Sequence, residues 1–302
     1  MRVAGGRREW GRRLVLAVPY IWLVVFFLTP LLIVAKISFS EMRLGIPPYE
    51  PLIDWAQSGV AMVRASFNNY ALLFEDDLYV QAYIQSLTIA GISTLLCLLI
   101  GYPMALGIAR APERSRGPLL LLVIVPFWTS FLIRVYSWMS ILRDEGVLNH
   151  ALMGLGLIDE PLVILNTDWA VYVGIVYSYL PFMVLPLYAT LEKLDPSLLE
   201  AAADLGARPI RAFLAVTLPL SLPGIVAGSL LVFVPAVGEY VIPNLLGGGD
   251  TQMLGKALWD VFAQTRDWPS ASALAVAMLV ALVIPIALFQ RLQTRLEEEE
   301  RR

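Results

Sequence analysis

The sequence predicts an all-α integral membrane protein with six transmembrane helices. Of its 302 residues, 58% are hydrophobic and 16% are charged, whereas soluble domains carry about 25% charged residues. The apolar residues form long uninterrupted runs, which favour membrane-spanning helices over the alternating strands of a β-barrel. We therefore treat residues 1–302 as a single transmembrane domain.

Six apolar runs define the predicted spans. They cover approximately residues 14–34, 86–109, 119–141, 169–191, 225–246 and 271–289. The first run has 21 residues and no small-residue cleavage site, so it predicts a retained span rather than a signal peptide. The long polar segment 37–82 is expected to be a loop.

The distribution of basic residues predicts the orientation of the chain. Fifteen of the 22 Lys and Arg residues lie in the N-terminal segment, the second and fourth loops and the C-terminal tail. The positive-inside rule therefore places both termini in the cytoplasm. The outer loops carry 14 acidic and 6 basic residues. This acidity either attracts cations to the outer face or merely reflects loops that lack basic residues, and both interpretations stay open.

Two charged residues fall inside predicted spans, where burying a charge in the membrane is costly. Arg134 and Glu239 would each cost roughly 2.5–3.5 kcal/mol at the centre of a span. Counting residues along ideal helices puts both at similar heights in the outer half of the membrane. In one hypothesis they form a structural ion pair. In the other, Glu239 faces a central path and binds a cationic substrate. The two hypotheses are not exclusive.

Several aromatic residues lie near these charges in the sequence. Trp128, Tyr136, Trp138 and Tyr240 are candidates for a cage that binds a cation through its ring faces. The alternative is an aromatic belt at the membrane interface or ordinary packing.

The predicted fifth span carries residues that favour close contact and bending. Gly224 and Gly228 form a G-x-x-x-G pattern, which allows another helix to approach closely. Pro235 and Pro243 predict a kink in the same helix.

A loop of mixed polarity, residues 194–223, separates the fourth and fifth spans. Asp195 suits the N-cap of a short helix, and Gly206 stands where a glycine commonly ends one. Pro209 is well placed to begin a second helical run. We therefore expect a cytoplasmic helix–turn–helix, an arrangement typical of a docking surface.

The sequence carries no motif for energy coupling or catalysis. It lacks the G-x-x-x-x-G-K-[ST] pattern of a phosphate-binding loop and the H-E-x-x-H pattern of a metalloprotease. A single histidine, His150, and a single cysteine, Cys97, suggest neither a metal site nor a disulfide. If the protein drives transport, its energy must come from a partner.

The 194–223 loop carries a spaced pattern: E-A-A, three residues, G, nine residues, an aliphatic residue, one residue, then L-P. The matching residues are Glu200, Ala201, Ala202, Gly206, Val216, Leu218 and Pro219. This pattern resembles the loop motif of the membrane subunits of binding-protein-dependent ABC importers, with valine in place of the usual isoleucine. The segments FWTSFLIRVYSWMSIL and FVPAVGEYVIPNLLGG are similar to the polyamine branch, above all to the first putrescine permease subunit.

The resemblance implies a type I ABC importer permease fold in the bacterial inner membrane. It implies a homologous second permease, two copies of an ABC ATPase that bind ATP and Mg on the cytoplasmic side, and a periplasmic polyamine-binding protein. The short helix around Glu200 would dock in a groove of the ATPase, and Gly206 would permit the turn behind it. This chain itself would bind no cofactor and catalyse no reaction.

The implied substrate is a polyamine, with putrescine expected and spermidine or another small cationic solute as the alternative. A self-contained secondary transporter driven by an ion gradient is the alternative from a different class. The absence of an internal repeat in the sequence disfavours it.

Overall fold

The computed structural model describes residues 15–55, 61–63 and 65–300. Helices make up most of this part of the chain. In chain order they are α1 (Val15–Ser38), α2 (Asn68–Glu75), α3 (Asp77–Arg110), α4 (Glu113–Trp128), α5 (Phe131–Leu142), α6 (Val147–Gly154), α7 (Asp168–Leu191), α8 (Ser197–Asp204), α9 (Pro209–Leu220), α10 (Leu222–Val237), α11 (Val241–Leu246), α12 (Leu254–Trp259) and α13 (Trp268–Glu300). The basic residues of the N-terminal segment, on which the predicted orientation partly depends, lie outside the described residues.

Three helices in the described part of the chain, α1, α3 and α7, are each long and apolar enough to cross a membrane. Two bent helix pairs raise the number to five if each pair counts as one span. The sixth predicted span falls on α13, whose apolar part is the shorter stretch Trp268–Val283. The helical membrane class is confirmed, and the count of six spans stays a prediction.

The segment between the first two predicted spans is more structured than a loop. It contains α2 and a short antiparallel pair of strands, β1 (Ile53–Trp55) and β2 (Ala61–Val63). The second span also begins earlier than predicted, because α3 starts at Asp77. The prediction relied on long apolar runs. Helix α2 and the two strands are too short to form such a run, and the first turns of α3 are too polar.

The third predicted span is broken rather than continuous. The run Glu113–Trp128 meets the run Phe131–Gly154 at 89°. Pro126 has no N–H to donate within a helix, and the chain around it tightens into a 3₁₀ turn before Thr129 adopts an extended conformation (ψ 154°). Pro126 predicts a bend within the span expected over residues 119–141, and the observed break is sharper than a proline kink, so the height assigned to Arg134 from an ideal helix does not hold.

The fifth predicted span is also interrupted. Helix α10 ends at Val237, and α11 begins only at Val241. Pro243 lies in the first turn of α11, where a missing N–H breaks no helical hydrogen bond. The two prolines therefore flank a break at residues 238–240 instead of kinking one helix over residues 225–246.

The chain divides into two compact units, each with its own internal packing. The first comprises the described parts of residues 1–76 and 258–283, and the second those of residues 77–257 and 284–302. In the first unit, the Asn69 side-chain amide donates to the carbonyl oxygens of Ser38 (2.9 Å) and Ser40 (2.8 Å). These bonds join the end of α1 to α2.

In the second unit, α3, α7 and α10 form the core. Ala105, Met183 and Val232 are fully buried there. The predicted close helix contact is confirmed, because a Cβ on Gly228 would lie 2.8 Å from Met183 Sδ and one on Gly224 would lie 2.6 Å from Thr190 Oγ1. Only glycine lets α10 approach α7 this closely.

Side-chain hydrogen bonds attach the connection between α11 and α12 to the ends of α3 and α7. The Thr251 hydroxyl donates to the Asp168 carboxylate (2.6 Å), and the Leu254 N–H donates to the Ser86 hydroxyl (2.7 Å). Because Thr251 and Ser86 are buried, these bonds satisfy polar groups that would otherwise be costly to bury.

Candidate functional site

The 194–223 loop begins with a capped helix, as its sequence predicts. The Asp195 carboxylate accepts a hydrogen bond from the Ser197 N–H (2.9 Å), and the Asp195 carbonyl oxygen accepts one from the Leu198 N–H (3.2 Å). Donation by Ser197 holds the pKa of the Asp195 carboxyl below its ordinary value. The carboxylate is thus charged at the N-terminus of α8, where a negative charge is stabilising.

Gly206 ends α8 in a left-handed conformation. Its φ is +79°, its N–H donates to the Ala203 carbonyl (2.8 Å), and the next N–H, from Ala207, donates to the Ala202 carbonyl (3.0 Å). This pair of bonds is the Schellman arrangement, which requires a positive φ at the glycine position. A Cβ there would meet no atom within 4 Å. The requirement for glycine is therefore conformational and not steric.

The outward surface of the loop mixes a charge with apolar side chains. Glu200 and Ala201 on α8 are exposed, and Ala202 is half-buried. Leu205 is 89% exposed and Ile210 is 75% exposed. Adjacent exposed apolar groups beside an acid are typical of a surface that another protein covers.

The second half of the motif faces the transmembrane core instead. Val216 is half-buried, and Leu218 packs against the core residues shared by α3, α7 and α10. Just beyond Pro219, the Ser221 hydroxyl is hydrogen-bonded to the Tyr102 hydroxyl of α3 (2.9 Å). The α9 run then meets α10 at 64°. The motif residues therefore divide into an exposed contact surface and an internal attachment.

Glu239 caps α11. One carboxylate oxygen, Oε1, accepts from the N–H groups of Val241 (3.0 Å) and Ile242 (3.3 Å), and the other accepts from the Tyr179 hydroxyl of α7. Only 8% of Glu239 is exposed. These neutral donors stabilise the carboxylate but do not neutralise its charge.

Arg134 is equally buried and has a different environment. Its guanidinium carbon lies 4.8 Å from the centre of the Phe127 ring and 5.7 Å from that of Phe131. In the described part of the chain, Nε and Nη1 have no hydrogen-bond partner, and no ion pair joins Arg134 to Glu239. The hypothesised ion pair is thus not formed in this structure, and ring faces provide the stabilisation of the cation.

A row of aromatic rings connects the surroundings of the two charges. Phe127 makes an edge-to-face contact with Phe182 (5.3 Å), and Phe182 lies 6.1 Å from Tyr179, which hydrogen-bonds Glu239. The sequence interpretation missed Tyr179 and Phe182. A tyrosine in mid-span was an available signal, because a buried phenolic hydroxyl needs a partner.

The four aromatic residues predicted as a cage have different surroundings. Trp128 and Tyr136 are 76% and 52% exposed on the surface of this chain. Trp138 makes an edge-to-face contact with Tyr177 (5.3 Å), while Tyr240 is half-buried and lies 3.4 Å from the Asn244 side-chain amide. The structure supports packing for Trp138, and it leaves the rings of Trp128 and Tyr136 accessible.

Comparison with known proteins identifies the family. A family model described as "Binding-protein-dependent transport system inner membrane component" matches residues 7–301. The chain belongs to this family. It is accordingly a multi-pass inner-membrane component of a transport system and not an enzyme.

Individual relatives agree with this assignment. The chain is 40% identical over 280 residues to the spermidine/putrescine transport system permease protein PotB of Haemophilus influenzae, covering 93% of each protein. It is 41% identical over 270 residues to the protein of the same name from Escherichia coli K12, covering 89% of this chain and 93% of that one. These names include both spermidine and putrescine, so the relatives do not single out putrescine.

A solved structure confirms the permease fold. The crystal structure of a bacterial alginate ABC transporter, in complex with an alginate-pentasaccharide-bound periplasmic protein, contains a chain that matches with a TM-score of 0.72. The match covers 96% of both chains at 19% sequence identity. At this identity the likeness concerns the fold alone, and that fold is the type I ABC importer permease predicted from the sequence.

Proposed function

We propose that this chain is a permease subunit of an ATP-driven importer that carries polyamines across the inner membrane. The observation that carries the proposal is the division of the 194–223 motif into an exposed surface on α8 and a buried attachment through Leu218 and Ser221. The two closely similar relatives are polyamine permeases by name. Putrescine is the substrate expected from the sequence resemblance, and spermidine is tested beside it.

The complete importer contains four kinds of protein in this proposal. A homologous second permease pairs with this chain, and two copies of an ABC ATPase dock on the cytoplasmic side, where the positive-inside rule also predicts both termini. A periplasmic polyamine-binding protein delivers the substrate. The contact with the ATPase is centred on Glu200, Ala201 and Ala202, with exposed Leu205 beside them.

Movement of α8 passes to the membrane through one continuous route. Gly206 fixes the turn from α8 into α9, and Val216, Leu218 and Pro219 lead into α10. The far end of α10 is followed directly by Glu239 and α11. Closure of the ATPase dimer would thus displace the element that carries the candidate pathway acid, as expected for rocking between two access states.

Glu239 is the residue that we assign to the substrate. Its carboxylate is oriented by three hydrogen bonds, yet no cation compensates it within the described residues. The Tyr179 hydroxyl donates to this carboxylate, and the Phe182 ring lies 6.1 Å from the Tyr179 ring. A fixed, uncompensated carboxylate with aromatic residues in its surroundings suits a protonated amine attached to a methylene chain. Trp128, Tyr136, Trp138, Tyr240 and Arg134 remain secondary candidates along the path.

Reconstituted transport tests the substrate assignment. The complex with its second permease, ATPase and binding protein is placed in proteoliposomes, and uptake of labelled putrescine and spermidine is measured with and without ATP. We expect uptake of at least one polyamine only with ATP. Uptake that follows an ion gradient without ATP would instead establish the secondary transporter.

The variant Glu239→Gln separates charge from helix capping. Glutamine keeps an oxygen that accepts the backbone N–H groups of α11 but removes the negative charge. Loss of a charge-assisted hydrogen bond to the amine is expected to reduce uptake about tenfold to a hundredfold. Glu160→Gln, at an exposed acid in a predicted outer loop, is the control and should transport normally. Normal uptake by Glu239→Gln would remove Glu239 from the path.

A further inference from the structure

A cavity of about 360 Å³ lies behind the docking helix, between α8 and the adjacent ends of α3 and α7. Its walls include the side chains of Leu106, Leu198 and Leu220, together with Arg110 at the end of α3 and Thr217 of α9. The volume is within the range of sites that bind small molecules. It combines apolar walls with a few polar groups, so its ligand should be amphipathic.

The charges around the cavity leave Arg110 unmatched. Arg116 pairs with Glu192 (3.3 Å), and Asp195 is held by the N–H of Ser197 at the start of α8. No hydrogen bond or ion pair involves the exposed Arg110 guanidinium within the described residues. A free cation at the rim of a largely apolar cavity favours an anionic group on the ligand.

Thr217 supplies a second and independent indication. Its side chain is 98% buried, and its hydroxyl has no hydrogen-bond partner within the described residues. A threonine in an α-helix normally donates to the carbonyl four residues before it. Here a π-helical turn over Phe213–Thr217 directs the N–H of Leu218 to the Phe213 carbonyl. The hydroxyl is therefore left to a ligand of the cavity, and such π turns are frequent at functional sites.

We propose that this cavity binds the headgroup of an anionic phospholipid from the cytoplasmic leaflet. The phosphate would accept hydrogen bonds from Arg110 and Thr217, and the glycerol and first methylene groups would contact the leucine side chains. Basic pockets between transmembrane helices on the cytoplasmic side are known to recognise such headgroups. The lipid would brace α8 against the bundle. This inference rests on the proposed cytoplasmic position of the 194–223 loop.

Lipid retention by the purified complex tests the site. The complex is reconstituted with phosphatidylethanolamine and phosphatidylglycerol, and the phosphatidylglycerol that stays bound is measured by native mass spectrometry. We expect Arg110→Gln to bind it about fivefold more weakly, the effect of one basic residue near an anionic membrane surface. Arg110→Lys, which keeps the charge, should retain most of the binding. Thr217→Val, which keeps the shape, should weaken it.

Arg114→Gln is the matched control, because Arg114 is an exposed arginine in the first turn of α4, four residues after Arg110, and does not line the cavity. Equal loss of lipid in Arg110→Gln and Arg114→Gln, or no loss in Arg110→Gln, would overturn the site. Thermal stabilisation of the delipidated complex by inorganic phosphate as strongly as by phosphatidylglycerol would overturn the assignment to a lipid. The lipid site and the proposed function can fail independently. If Arg110→Gln binds lipid normally while Glu200→Ala uncouples ATP hydrolysis from transport, the lipid site is wrong and the proposed function stands.

Discussion

Replacing Gly206 with valine is expected to uncouple ATP hydrolysis from transport. The residue has φ +79°, and a left-handed conformation costs a residue with a Cβ roughly 1–2 kcal/mol. Because a Cβ would meet no atom within 4 Å, this conformational cost is not increased by a clash. It shifts the equilibrium between the capped and the uncapped loop by a factor of about 5–30. The loop would then hold α8 less firmly relative to α9.

The assay is the ratio of polyamine uptake to ATP hydrolysis by the complex in proteoliposomes, and that ratio should fall in Gly206→Val. Asparagine tolerates the left-handed conformation, so Gly206→Asn should retain more coupling. Gly156 provides a matched control in a predicted outer loop. It has φ +67°, open space around it and the same pair of hydrogen bonds, from Gly156 to Met153 (3.0 Å) and from Leu157 to Leu152 (3.0 Å). An equal loss in Gly156→Val, or an unchanged ratio in Gly206→Val, would show that the left-handed turn at Gly206 does not serve coupling.

Three further predictions address the packing and the electrostatics. Tyr179→Phe removes the hydroxyl that donates to the buried Glu239 carboxylate and should lower the stability of the complex by about 1.5–3 kcal/mol. The measurement is thermal unfolding in detergent, and unchanged unfolding would show that this hydrogen bond does not contribute to stability. Gly228→Ala places a methyl group 2.8 Å from Met183 Sδ and should destabilise the complex by about 1–3 kcal/mol, whereas Gly91→Ala, with no atom within 4 Å, should not. Because the pKa of Asp195 is lowered, its stabilising charge is present above the unfolded-state pKa and is lost only as the pH falls through the lowered value. Titration of Asp195 should therefore not change wild-type uptake near neutral pH, and a loss of wild-type coupling in that range would contradict this. Asp195→Ala, which cannot cap α8, should reduce the ratio of uptake to ATP hydrolysis. Asp195→Asn, which keeps a capping oxygen, should preserve that ratio.

The local signals in the 194–223 loop were strong enough to predict its structure. Asp195, Gly206 and Pro209 each act on the neighbouring backbone, through a cap, a positive φ and a fixed φ. Their effect does not depend on what the rest of the chain does. The helix, its end and the start of the next helix therefore appear where the sequence places them.

The interior of the bundle was less predictable, because it depends on contacts between distant residues. An apolar run signals that a segment is buried in lipid or protein, but it does not show whether the helix is continuous. The prolines at 126, 235 and 243 predict bends in these two helices, but they do not show that the helices are interrupted at Thr129 and after Val237. The pairing of Glu239 with Tyr179, 60 residues away, has no periodic signal at all. The ion pair with Arg134 was a reasonable hypothesis from charge alone, but the fold gives the two charges separate surroundings: ring faces of Phe127 and Phe131 for Arg134, and three hydrogen-bond donors for Glu239.

In the proposed importer, exposed residues of α8 couple this permease to an ATPase. ATP hydrolysis and polyamine uptake are measured in the same proteoliposomes for the wild type and for Glu200→Ala. The side chain of Glu200 is exposed, so its removal should leave the protein folded in the membrane. We expect Glu200→Ala to hydrolyse ATP while uptake falls sharply. Uptake equal to that of the wild type would contradict the account.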